Sequence, residues 1–186
     1  MSDHYLANQF LIAMPAMADP NFNQTVTYVC EHSENGALGI IINRPMDMKL
    51  DEVFRQLNVE SSDHELADRP VLQGGPVHQD RGFVLHEAAG EWDSSLLVSD
   101  SIRVTTSRDI LAAMARGDGP QRSLVALGYA GWEAGQLESE VTENAWLTVP
   151  AEPEIIFKTP YQDRWEAAAQ LLGIDVNLLS SQAGHA

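Results

Sequence analysis

The chain has 186 residues and a formal net charge of −16, from 27 acidic and 11 basic side chains. That balance argues against direct DNA binding, which draws its non-specific affinity from Lys and Arg set against phosphates, and it repels anionic membrane surfaces. A hydrophobic content of 44% suits a packed core, and no apolar run approaches the ~20 residues that cross a bilayer.

Phe10-Leu11-Ile12-Ala13-Met14, followed by Ala16-Met17-Ala18, imitates a secretion signal. No Lys or Arg precedes it, however, and the apolar run falls short of the ~7–15 residues a signal needs. It reads as a first strand that ends at Pro15. Thr25 to Cys30, rich in β-branched and aromatic residues, is a second strand. Asn35-Gly36 marks a hairpin turn, and Ala37 to Ile42 is its nearly all-apolar partner, ended by Asn43-Arg44-Pro45. Leu50, Val53, Phe54 and Leu57 share a helix face. Residues 58–69 read as a polar surface loop.

A short strand at Val71-Leu72 enters the turn Gln73-Gly74-Gly75-Pro76, and further strands cover 82–86, 95–98 and 102–105. A helix over 108–116 presents Ile110, Leu111, Met114 and Ala115 and closes at Gly117. Leu124 to Leu127 is an apolar strand, and Gly128 to Trp132 reads as a glycine turn feeding a helix through Ala134, Leu137, Val141 and Ala145. A strand over 146–149 and an apolar turn at 155–157 follow. Thr159 and Gln162 have capping-box spacing for a last helix with Tyr161, Trp165, Ala168 and Leu172 inward, ending at Gly173. Clustered strands with irregularly interposed helices give an α+β class with a mixed, mostly antiparallel sheet, and residues 1–186 read as one domain.

Cys30 is the lone cysteine, so no intrachain disulfide forms and the cytoplasm is the expected location. With His32 two positions on, it is a redox candidate, since a neighbouring imidazolium stabilises a thiolate; the alternative is a small buried hydrophobe. A ligand pocket is the second candidate, built from backbone at the glycine turns and from polar groups: Asn43, Arg44, Gly74, Gly75, Arg81, His86, Tyr129 and Gly131. The same glycines also serve as tight corners. Neither Gly74-Gly75 nor Gly128-x-x-Gly131 carries a phosphate-loop or dinucleotide fingerprint. His32, His78 and His86 lack metal-ligand spacing, so neither metal nor cofactor is expected. Glu133, Glu138, Glu140 and Glu143 fit a solvated helix face, and no Gly-x-Ser-x-Gly elbow occurs.

Five blocks carry a resemblance: FLIAMPAMADPNF, YVCEH with GALGIIINRP, QGGPV with RGFVLHE, LGYAGWEAGQLE with NAWL, and TPYQDRWEAAAQLLG. Together they make the chain closely similar to the AlgH/YqgE family of bacterial proteins. The resemblance implies a cytosolic α+β protein whose bent or bifurcated sheet closes partly into a small barrel, with helices around it. It lends no established catalytic residue. The regulator label carried by some members implies an indirect effect on transcription through a protein partner or small ligand. The alternative expectation is an enzyme or thiol redox switch using Cys30 with His32, or a pocket at the glycine turns.

Overall fold

A computed structural model describes residues 5–178. It shows an α+β fold in which one sheet curls into a half-barrel with helices around it. The 10 strands run in the order β10-β1-β2-β3-β9-β6-β8-β7, with β4 and β5 branching off. The strands are β1 (Gln9–Ala13), β2 (Val26–Ser33), β3 (Gly36–Ile41), β4 (Pro45–Lys49) and β5 (Pro70–Gln73). They continue as β6 (Val77–Glu87), β7 (Ser95–Leu97), β8 (Ile102–Thr105), β9 (Ser123–Trp132) and β10 (Trp146–Pro150). The α-helices are α1 (Leu50–Gln56), α2 (His64–Ala67), α3 (Arg108–Arg116), α4 (Gln136–Thr142), α5 (Pro153–Phe157) and α6 (Arg164–Gln170), with a 3-10 turn over Tyr161–Asp163.

The sheet forks on β9. One edge of β9 pairs with β6 along both halves. The other edge takes β5 in parallel at Ala126 and Leu127, then β3 antiparallel from Ala130 to Trp132. Between the two partners sits Gly128 at φ +78°, a left-handed conformation that costs glycine little. Gly74 stitches the fork, donating to the Leu127 carbonyl (2.8 Å) and accepting from Ile41 N–H (2.8 Å).

The sequence reading of a glycine turn feeding a helix is therefore corrected. The strand passes through Gly128 and Gly131 to Trp132, and α4 starts only at Gln136. Glycine chemistry is the same in a turn and in a bent strand; here the β3 and β6 ladders hold the chain extended. Two other elements were hidden. β4 lies at an outer edge with alternating exposure, where a leading proline is tolerated. α2 is a single turn within the expected loop, capped by Asp63, whose side chain accepts from Glu65 and Leu66 N–H. Near the C-terminus, α6 stops at Gln170, so Leu172 falls off the inward face and is 40% exposed. Thr159 reaches the Glu154 carbonyl instead of capping that helix.

Three apolar clusters anchor the helices. One joins the sheet to α5 and α6 through Phe10, Tyr28, Ile40, Leu85, Ile156 and Trp165. A second packs α1 and α3 on the sheet through Phe54, Ile110, Met114 and Val125. The third docks α4 beside the β2–β3 hairpin through Leu11, Trp132, Leu137 and Trp146.

Within that third cluster Glu140 departs from the expected solvated face. Its Oε1 accepts from both Trp132 Nε1 and Trp146 Nε1, each at 3.0 Å, while Oε2 accepts from Gln136. Removing the carboxylate strips two buried indole donors of a charged acceptor, so Glu140→Ala is expected to cost about 3 kcal/mol. Glu140→Gln, which keeps an acceptor oxygen, should cost less. Urea unfolding followed by tryptophan fluorescence measures both.

Candidate functional site

A groove of about 770 Å³ opens at the turn end of the β2–β3 hairpin. Cys30 and His32 come to it from β2, Leu38 from β3, Val77 from β6, and Tyr129 and Gly131 from β9. Leu97 and Val98, at the end of β7, close one side. Leu97 is 55% exposed. Glu31 and Glu133 stand exposed on the rim. The result is an apolar and aromatic trough with an acidic border.

Cys30 occupies the position where the β2–β3 register shifts, between Val29 and Glu31. Its side chain is 3% exposed, and Sγ lies 3.8 Å from the Tyr28 carbonyl. Burial, and next the Glu31 carboxylate, push the thiol well above its usual pKa. His32 serves a different contact. Its Nδ1 accepts from Leu6 N–H at 2.9 Å, which puts the ring proton on Nε2, 3.1 Å from Glu138 Oε1. The contact is close but poorly aligned as a hydrogen bond. Even so, the imidazole is the leading cause of a Glu138 carboxyl held below its ordinary range. Among the described residues no hydrogen bond joins the thiol to the imidazole. Tyr129 packs edge-on to Phe83 and lies against His78.

The remaining candidates lie elsewhere. Asn43 accepts from Val26 N–H and donates to the Gln24 carbonyl, tying the end of β3 to the start of β2. Arg44 donates to the Asn21 and Asn23 carbonyls and to Asn23 Oδ1, clamping the β1–β2 connection; desolvation lowers its pKa. Gly74 and Gly75 sit at the fork with backbone against backbone. Arg81 belongs to a bulge, His78 to Arg81, that the β6–β9 ladder skips; its guanidinium lies 5.5 Å from the Phe83 ring centroid.

His86 is fully buried in a hydrogen-bonded chain. Its Nδ1 must donate to the Glu87 carbonyl (2.7 Å), so Nε2 accepts from the Thr105 hydroxyl (2.7 Å), which lies 2.6 Å from Ser95 Oγ. This is a neutral tautomer. Burial, above all, depresses the ring's pKa. Because the folded pKa lies below the unfolded one, the unfolded chain binds the extra proton first. Stability is complete above about pH 6.5 and is lost as pH falls from there toward the depressed value. An NMR titration should find His86 still neutral at a pH where an exposed histidine is half protonated.

Sequence reasoning missed groove residues that include Leu38, Val77, Leu97, Val98 and Trp132, and it missed Glu138 behind His32. Each reaches the groove through long-range strand pairing or helix docking, and no local pattern marks them. Among the described residues no group of three or more His, Cys, Asp and Glu side chains could hold a metal ion. None of their helices is long and apolar enough to cross a membrane.

The family model described as DUF179, AlgH-like, matches residues 10–177. The chain belongs to the AlgH-like family. A UPF0301 protein of Thioalkalivibrio sulfidiphilus is 59% identical over 179 residues, 96% of each chain. One from Methylococcus capsulatus is 56% identical over 181 residues, 97% of this chain and 96% of the relative. The solution structure of the AlgH protein from Pseudomonas aeruginosa superposes with a TM-score of 0.80 at 51% identity, covering 100% of this chain and 98% of that one. A crystal structure from Corynebacterium diphtheriae shares the fold at a TM-score of 0.75 and 19% identity, over 94% and 91% of the two chains. The overall fold is thus shared with these two solved structures.

Proposed function

We propose that this AlgH-like chain is a cytoplasmic regulatory binding protein without catalytic chemistry of its own. As one domain, it acts through a protein partner or small ligand seated in the groove beside the β2–β3 hairpin, and any effect on transcription is indirect. The groove carries this reading. Its volume falls in the range of small-ligand and peptide sites, its floor is apolar and aromatic, and Leu97 is left exposed at its wall. The acidic rim and the net charge of −16 favour occupants that combine apolar and basic side chains and disfavour nucleic acid.

A short leucine–lysine peptide tests this by amide chemical-shift titration. Shifts are expected at groove residues and should be lost in Leu97→Asp. Absent shifts, or shifts indifferent to that substitution, reject the reading. The thiol-switch alternative has Cys30 at the groove but lacks a thiolate, because burial keeps the sulfur protonated. Cys30 is therefore expected to react with a thiol reagent only at the rate of unfolding. Fast labelling of the native protein near neutral pH would favour the switch.

A further inference from the structure

Arg164, at the start of α6, carries a charge that no carboxylate among the described residues balances. It is 3% exposed. Nε donates to the Thr159 carbonyl (2.8 Å) and Nη1 to the Ile42 carbonyl (2.7 Å), and the guanidinium lies 4.4 Å from the Tyr161 ring centroid. Among the described residues it forms no ion pair, although the chain holds 27 carboxylates. Two carbonyls satisfy two donors, but they do not neutralise a buried cation, and buried charges are ordinarily paired. Desolvation is strong enough to bring its pKa down to about 10.

Arg164 lines a cavity of about 120 Å³ that is also bounded by Arg69, Ser123 and Tyr161, with apolar walls such as Met114 and Phe157. Among the described residues no carboxylate lines it. Arg69 is exposed at the mouth of this cavity, where it also borders a hollow lined by Asp51, Glu52, Glu65 and Asp68; among the described residues its guanidinium forms no hydrogen bond or ion pair, and the hydroxyl of the nearly buried Ser123 has no hydrogen-bond partner. A second hollow, of about 240 Å³, shares Arg69, Ser123, Leu66 and Met114 and extends past Gly117 and Gly119. The acid there, Asp63, already caps α2.

We propose that this cavity binds a phosphate group, free or borne on a small metabolite, with Arg164 and Arg69 supplying charge and Ser123 a hydroxyl donor. Planar guanidinium forks suit phosphate oxygens. One buried cation and a second at the mouth, with no lining carboxylate among the described residues, match a dianion better than a monocarboxylate. The cavity has room for one anionic group, and the adjoining hollow has room for the rest of an ester. This site is separate from the hairpin groove, and the two proposals stand or fall apart.

The test uses the full chain with inorganic phosphate, glycerol phosphate, acetate or chloride at matched ionic strength, read by calorimetric titration and by the thermal midpoint. Phosphate is expected to bind saturably at one site and to raise the midpoint with concentration, while acetate and chloride do not. Arg69→Gln and Ser123→Ala should leave the midpoint in chloride close to that of the parent, since neither side chain has a partner to lose. Arg69→Gln should weaken phosphate by about tenfold or more. Tighter binding of glycerol phosphate identifies an ester as the ligand, and equal or weaker binding identifies free phosphate. No saturable phosphate effect beyond chloride overturns the proposal, as does phosphate binding unchanged in both variants.

Discussion

Gly75→Ala is expected to abolish the native fold. A Cβ at that position would lie 2.1 Å from Tyr129 C, 2.2 Å from Tyr129 O and 2.4 Å from Ala130 N. Those are backbone atoms, and they sit in the part of β9 that is paired with β6 at Tyr129 and with β3 from Ala130. Neither ladder can yield without breaking the fork. The same crossing is tight from the other side: a Cβ on Gly74 would meet Gly128 O at 2.3 Å, and one on Gly128 would meet Gly75 O at 2.5 Å. Moving two strands apart loses both pairing and core contact, at a cost above roughly 4–5 kcal/mol, which approaches the whole stability of a typical domain. Gly117→Ala is the comparator. It has φ +85° but nothing within 4 Å of its Cβ, so only the left-handed backbone penalty of about 1–2 kcal/mol applies. Far-UV circular dichroism with urea unfolding separates the two. A cooperative, parent-like transition for Gly75→Ala would show that the fork is not where the sheet is held.

That fork also explains how much of the fold was legible in the sequence. Local signals worked where structure is local. Asn35-Gly36 marked the β2–β3 hairpin, and Ile110, Met114 and Gly117 marked α3 and its end. The family resemblance supplied the bent, partly closed sheet, which residue patterns alone did not. Gly128 misled because a bulged strand and a strand end require the same backbone freedom; only the partners β3 and β6, distant in the chain, decide between them. β4 escaped notice because Pro45 reads as a stop; β3 has already ended at Ile41, and Pro45 instead opens an edge strand.

The candidate residues divide for the same reason. Cys30, His32, Tyr129 and Gly131 meet at one groove because β2 and β9 flank β3 and their far ends lie together. Asn43, Arg44, Gly74, Gly75, Arg81 and His86 are spent on separate joints of the sheet. β2 runs through both Cys30 and His32, and both reach the groove as the strand reading expected, but among the described residues no hydrogen bond joins thiol to imidazole. His32 turns instead to Leu6 and Glu138, and Glu138 in sequence looks like any solvated helical glutamate. Arg164 sits within an amphipathic stretch where a charged residue is ordinary; its burial arises only because α6 lies over the end of β3.

Trp165 holds that helix to the sheet, and its replacement should be the second most damaging change. The ring is buried in the largest apolar cluster, and Nε1 donates to the Ala13 carbonyl at 2.9 Å. Ala13 is the last residue of β1, where its register partner on β10 is Trp146. One side chain therefore fills the gap beneath α6 and also satisfies a carbonyl at the closing end of the sheet. Trp165→Ala removes both contributions and leaves a cavity, an expected loss of about 3–5 kcal/mol. Trp165→Phe keeps most of the apolar area but abandons the Ala13 carbonyl, for about 1–3 kcal/mol. The two losses, measured by urea unfolding, should differ by at least the value of the hydrogen bond. Equal losses would mean that the carbonyl contributes nothing and that packing alone fixes α6. Because Arg164 precedes Trp165 and depends on the same docking, Trp165→Ala should also weaken phosphate binding at the Arg164 cavity, whereas Trp165→Phe should retain it.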